Sequence, residues 1–242
     1  MKAYILKVEL VGSDPLIWRK VIMPADATFN RLHDVIQNVT NFKSGYPYPG
    51  YHLFEFDMGD LIVTNDEEAY EEHKGYKENK AMYDEILRTT PEDFLELEKR
   101  HQERLKTETR MPTRVKIDAY LEELGEIKYL YDFGDGWEFL IKLEDTVDDY
   151  YFGYPTLLDG AETAPPEDVG GLSGFEYFLE AYYDDKHPDH DQMKTWGDSA
   201  GFTEYDATQI NRILKEIKYQ KTYWDKIDHK NYRIISDKYR IE

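Results

Sequence analysis

Two aspartates flank a glycine in the run Asp132-Phe133-Gly134-Asp135-Gly136-Trp137. Carboxylates this close can hold a divalent cation, or split their pKa values so that one acts as acid and the other as base. The same residue types also make tight turns. Gly134 and Gly136 permit positive φ, Asp135 tolerates it, and aspartate caps backbone N–H groups. The turn reading comes first, because tight turns use aspartate far more often than metals do. A second acidic pair, Glu167-Asp168, stands between Pro165-Pro166 and Gly170-Gly171. Those prolines stiffen the loop and the glycines permit close approach, which suits binding; Asp168 serves equally well as a cap before a helix. His52 alternates with Phe54 and Phe56, a setting in which histidine is more often a satisfied core residue than a ligand. His187 and His190 would share one helix face, but Asp185, Asp189 and Asp191 around them favour a solvated acidic turn over a metal.

Together His52, Asp132, Asp135, Trp137, Glu167 and Asp168 form one candidate binding cleft, with an acidic rim and an aromatic floor. No catalytic residue, metal ligand or cofactor is assigned. The chain has no cysteine, hence no disulfide and no thiolate zinc site, and tight tetrahedral zinc is not expected. It lacks GxSxG and any phosphate-cradling glycine loop of Walker or dinucleotide type.

The elements that must position these residues follow from periodicity. Residues 3–10 alternate as a half-buried strand, a turn follows at Gly12-Ser13-Asp14-Pro15, and Ile17 to Met23 returns. Phe29, Leu32, Ile36 and Val39 recur at helical spacing behind a Thr28 or Asp26 cap. A strand is expected from Tyr51 to Phe56, a short strand and a helical turn over 114–124, and a hairpin from Lys128 to Glu144. Hairpin, helix and strand in this order predict an α+β fold, a β-grasp-like roll with a mixed sheet. Residues 1–65 and 111–160 would form its core. Residues 66–110 are charged with a narrow apolar stripe, a helical insertion able to project from the domain and beginning properly near Pro91. Residues 161–242 read as a mainly helical part packed on the core, with Ser173 and Glu176 as a capping box.

Composition excludes some functions. Fifty Asp and Glu against thirty Lys and Arg give a net charge of −20, which repels phosphate backbones and disfavours direct nucleic-acid binding. The tail Lys218–Glu242, with seven Lys and Arg against four Asp and Glu, is the only basic candidate. An aromatic content of 15% argues against disorder. No run of about 18 apolar residues exists, and the opening MKAYILKVELVGSD reads as a strand, not a signal peptide, so a cytoplasmic protein without membrane association is expected.

Longer motifs carry a resemblance. Val11 to Gln37, VGSDPLIWRKVIMPADATFNRLHDVIQ, is followed by His52-Leu53-Phe54, by Tyr131 to Trp137, by Pro165 to Gly171, and by Asp184 to His190. This ordered set resembles the plasmid pRiA4b ORF-3-like family, also described as passenger proteins of insertion elements. The resemblance implies an α+β roll of β-grasp type and no established reaction. Phe139 stands where family members often carry histidine, and Ala164 and Val169 where they often carry cysteine, so any thiol or soft-metal chemistry is lost here. The expected function is an accessory or interaction protein binding an unidentified protein or small molecule. The alternative is a metal-dependent hydrolase or nuclease-like enzyme using the retained acids and His52. The two differ in whether these side chains converge within a few ångströms around a concave site.

Overall fold

A computed structural model describes residues 1–43 and 52–217. The first alternating segments pair as an antiparallel hairpin, β1 (Ala3–Leu10) with β2 (Trp18–Pro24). Tyr4, Leu6, Val8 and Leu10 enter the main core as alternation predicts. Ala3 and Ile5 on the opposite face are buried too, because Tyr150, Phe152 and Tyr154 fold over them as a second apolar cluster. Helix α1 (Phe29–Val39) starts where Thr28 Oγ1 accepts from the Arg31 N–H at 3.3 Å, and it lays Phe29, Leu32, Val35, Ile36 and Val39 on the sheet. Phe29 meets Phe56 with ring centroids 4.9 Å apart.

Next come the hairpin β3 (Phe54–Asp57) and β4 (Leu61–Thr64), and then three helices: α2 (Glu67–Glu78), α3 (Lys80–Thr89) and α4 (Glu92–Lys106). Helix thus begins well before Pro91, at a cap where Asp66 accepts from the Ala69 N–H at 3.0 Å. Only His73 and Tyr76 of α2 are buried, too few to mark helical periodicity in the sequence. Gln102 and Leu105 are the buried residues of α4, and α3 buries none. β5 (Glu108–Arg110) then pairs in parallel with β4. Over 114–124 there is no strand, only an isolated bridge from Thr28 to Lys116, a 3-10 turn (Ile117–Ala119) and α5 (Leu121–Leu124). Pairing that bridge further is precluded by the turn that buries Ile117 at once.

The long hairpin β6 (Glu126–Tyr131) and β7 (Trp137–Val147) forms as expected, and β8 (Thr156–Ala161) closes the far edge. The sheet runs β5-β4-β3-β6-β7-β1-β2-β8, antiparallel except at β4 and β5. Helices α6 (Gly171–Tyr183), α7 (His190–Ala200) and α8 (Ala207–Leu214) follow. Ser173 is not the N-cap of α6. Gly170, at φ 90, turns the chain into the helix earlier, and its carbonyl already accepts from the Gly174 N–H. The fold is α+β, with an eight-stranded mixed sheet and eight α-helices among the described residues. None of those helices is long and apolar enough to cross a membrane. The basic tail Lys218–Glu242 and the first residue of the strand expected from Tyr51 lie outside the described residues.

Burial separates two leucines of α4. Leu105 is 4% exposed and Leu97 is 64% exposed. Leu105→Ala is expected to lower unfolding free energy by about 2–5 kcal/mol, and Leu97→Ala to change it by less than about 0.5 kcal/mol. Urea titrations of both variants check this; equal effects would mean that α4 is not packed against α2.

Candidate functional site

β6 ends at Tyr131, and the next residue leaves extended geometry: Asp132 has φ 52. A short polar side chain tolerates this left-handed conformation better than most. The Asp132 N–H donates to the Leu53 carbonyl at 2.9 Å, and its carbonyl accepts from the Gly136 N–H at 2.6 Å. Its Oδ1 accepts from the Gly134 N–H at 3.0 Å. Strand alternation had placed Asp132 on the face away from Tyr131 and Phe133 on the core face. The left-handed residue ends alternation, so Phe133 is exposed and the Asp132 carboxylate turns toward His52. His52 is brought there by register: Phe54 pairs with Tyr131, and His52 precedes Phe54 by two. Asp132 Oδ2 lies 3.3 Å from His52 Nδ1, and the His52 and Tyr131 ring centroids are 5.6 Å apart.

The second loop arrives from the other side. Asn41, just past α1, donates to the Ala164 carbonyl at 2.7 Å and the Thr203 carbonyl at 3.0 Å, and forms a bridge with Pro166. This sets Glu167 beneath the hairpin end. Its Oε1 accepts from the Tyr131 hydroxyl at 2.6 Å and from the Lys43 backbone N–H. Asp168 takes φ 56. Asp135 Oδ2 accepts from the Gly170 N–H at 3.1 Å, so that carboxylate ties the two loops together. They touch at Gly171 as well, where an added Cβ would stand 2.9 Å from the Asp135 carbonyl oxygen.

Four of the six candidates therefore converge. His52 Nε2 is 3.7 Å from Glu167 Oε2 and 4.0 Å from Asp168 Oδ1. One ligand atom each from His52, Asp132 and Glu167 lie within 4.8 Å of one another. Side-chain exposure is 8% for His52 and 13% for Asp132 and for Glu167, against 70% for Asp168 at the mouth. Glu167 Oε2 is buried and makes no hydrogen bond. Burial is the main reason its pKa lies above the ordinary carboxylate value; hydrogen bonds from Tyr131 and Lys43 and the nearness of His52 oppose that rise.

The others sit differently. Asp135 acts as the loop tie just described. Trp137 is 1% exposed and packs on Phe42, with centroids 5.5 Å apart; the ring beside His52 is that of Tyr131. His190 Nδ1 donates to the Ala181 carbonyl at 2.9 Å, and His187 Nδ1 accepts from the Asp189 N–H at 3.1 Å. Both are local ties. Two contributors had escaped sequence reasoning: the Tyr131 hydroxyl and the Lys43 amide. The first had a signal, a phenol at the inward end of a strand adjoining an acidic turn; the second had none.

The family model described as plasmid pRiA4b ORF-3-like protein matches residues 2–213, a span that includes every residue of this cluster. The chain belongs to that family. A relative, the uncharacterized protein y4hQ of Sinorhizobium fredii (strain NBRC 101917 / NGR234), is 31% identical over 219 residues, 88% of this chain and 90% of y4hQ. The crystal structure of MM3350, a protein of unknown function from Methanosarcina mazei Go1, is similar at TM-score 0.56 and 26% identity, covering 81% of this chain and 88% of that one.

Glu167 makes stability depend on pH. With its folded pKa raised, the native state keeps a proton that the unfolded chain releases above the ordinary value of 4.5. The native state then binds more protons, so stability falls as pH rises from that value through the raised one and levels off beyond it. Glu167→Gln is expected to remove this fall. Urea midpoints from about pH 4 to about pH 8 measure it; an identical pH slope in the variant would assign the effect elsewhere.

Proposed function

We propose that this ORF-3-like chain is a cytoplasmic binding or accessory protein whose ligand site is the His52–Asp132–Glu167 cluster, with a divalent cation as the inner ligand. The observation that carries this is the buried Glu167 Oε2, which has no hydrogen bond and faces His52 Nε2 at 3.7 Å. A buried carboxylate oxygen without a donor is costly, and a cation among the three side chains satisfies it. One imidazole and two carboxylates, with no thiolate, suit Mn²⁺ or Zn²⁺ more than a soft ion. Sequence alone assigned no metal, since residues 52, 132 and 167 carry no ligand spacing. Asp168 at the mouth is then where a protein or small-molecule partner meets the bound ion. The fold is read as a β-grasp-like roll extended at both edges, and the link to mobile elements comes with the family resemblance.

The alternative, a metal-dependent hydrolase or nuclease-like enzyme, needs open coordination positions for water and substrate. Side chains only 8–13% exposed favour binding over turnover, and a net charge of −20 opposes a nucleic-acid substrate. A further competitor is a metal-free cluster in which His52 simply sits between the two carboxylates.

Calorimetric titration with MnCl₂ and ZnCl₂, paired with thermal melts, separates these readings. One equivalent of either ion is expected to bind, adding about 2.7 kcal/mol of stability at a hundredfold excess over Kd. Asp132→Asn, which retains tolerance for φ 52, is expected to weaken binding at least tenfold while the metal-free melt stays near wild type. Neither heat nor a melting shift with either ion would overturn the proposal. A large metal-free loss of stability in Asp132→Asn, without any ion effect, would favour the metal-free cluster over the proposal.

A further inference from the structure

Away from the hairpin cluster, a hollow of ≈ 670 Å³ opens at the β5 edge of the sheet, between α2, β5 and the return from Met111 to Tyr120. This volume lies in the range of small-molecule sites. Its sign reverses that of the protein. Lys74, Lys77, Arg110, Arg114 and Lys116 line it, against Glu78 and Glu108, in a chain with net charge −20.

The internal pairing leaves positive charge over. Glu108 alone faces three cationic or cation-capable groups: Lys77 Nζ at 2.9 Å, Arg110 Nε at 3.3 Å and His73 Nε2 at 3.4 Å. Lys74 pairs outward with Glu71, while no ion pair engages Arg114 or Lys116 among the described residues. His73 supplies a separate pointer. It is 5% exposed, its Nδ1 donates to the Leu105 carbonyl at 2.8 Å, and its Nε2 has no hydrogen-bond partner although it borders the hollow. Nε2 faces the Glu108 carboxylate at 3.4 Å without a hydrogen bond, and with Nδ1 already donating, a hydroxyl on a ligand would complete it.

We propose that this hollow binds a small phosphate-bearing organic molecule. A planar guanidinium meets two oxygens of a phosphate or a carboxylate at once, and the surplus of five cations over two carboxylates in the lining favours the more highly charged phosphate. The rest of the lining has room for an uncharged portion: Tyr70 and Tyr120 offer ring faces, and Val115 and Met111 apolar surface. The Arg110 Nη1 donates to the Tyr120 hydroxyl at 3.3 Å, so the ring and the fork are set together. None of these residues belongs to the hairpin cluster, and the inference stands independently of the cation proposal.

The test uses the full chain with a chelator present, so that no metal at the first site carries phosphate. Pyrophosphate, ADP and adenosine are titrated by calorimetry, alongside a short single-stranded oligonucleotide. ADP is expected to bind more tightly than pyrophosphate, both weakening as salt rises, with adenosine giving no signal. Arg114 and Lys116 are exposed, so the double variant Arg114→Ser/Lys116→Ser should fold normally, as melts will verify, and bind ADP at least tenfold more weakly. Overturning results are no binding of ADP or pyrophosphate at millimolar concentration, unchanged ADP affinity in the folded double variant, or binding of the oligonucleotide alone.

Discussion

One buried guanidinium holds α1, β2 and β8 in register. Arg19 lies on β2 and is only 2% exposed, yet its four hydrogen bonds go to carbonyls rather than to a carboxylate. Nε donates to Val39 at 2.7 Å, the last residue of α1, whose carbonyl is one of those a helix end leaves unmet. Nη1 reaches Trp18 and Ala161, Nη2 reaches Glu162, and the Tyr205 ring lies 4.3 Å from the guanidinium carbon. Burial lowers its pKa to about 10, which leaves it charged at neutral pH. A charge so enclosed is costly unless every donor is used. The geometry of α1, β2 and β8 is therefore coupled: moving any one of them strands a buried N–H.

The candidate site depends on that coupling at both of its approaches. Val39 is followed at once by Asn41 and Lys43, the residues whose amides hold the Ala164 carbonyl and the Glu167 carboxylate. Glu162, held by Nη2, takes φ 65 and sends the chain from β8 into the Pro165-Pro166 loop. Glu167 thus reaches Tyr131 because two chain segments leave a common anchor. The hairpin end is fixed separately, by the β3–β6 register and by the Asp132 turn. His52 stands where these two independently determined parts meet.

This division explains what could be read from residue order. The β1–β2 hairpin, α1 and the β6–β7 hairpin were legible because each writes its own period, and the DFGDGW turn was legible from its glycines and aspartates. Arg19 had a faint signal, a charge sharing a strand face with Val21 and Met23, but alternation does not say what an inward arginine would meet. Asp132 was assigned the wrong face because one left-handed residue cancels alternation beyond it. Helix α2 left little trace, since only His73 and Tyr76 of its residues are buried. The meeting of residues 52, 132 and 167 was suggested by loop chemistry; its distances depend on sheet order and on Arg19, which no local pattern records.

Stability alone is a poor account of the cluster. Glu167 gains hydrogen bonds from Tyr131 and Lys43 on one oxygen, each worth about 1.5–3 kcal/mol when the acceptor is charged, and leaves the other oxygen bare at a cost of about 1–3 kcal/mol. Two further residues, Asp132 and Asp168, hold left-handed backbones that cost roughly 1–2 kcal/mol each for non-glycine residues. A glutamine at 167 could accept from the same two donors without burying a charge, and glycine at 132 or 168 would remove the strain. Elsewhere in the sheet such departures stand singly, as at Arg19 on β2 and at Glu162 after β8. At this one end three departures coincide, at residues 132, 167 and 168, beside His52 from a third part of the chain. A cluster of such local inconsistencies is what the binding role proposed above would leave in a fold.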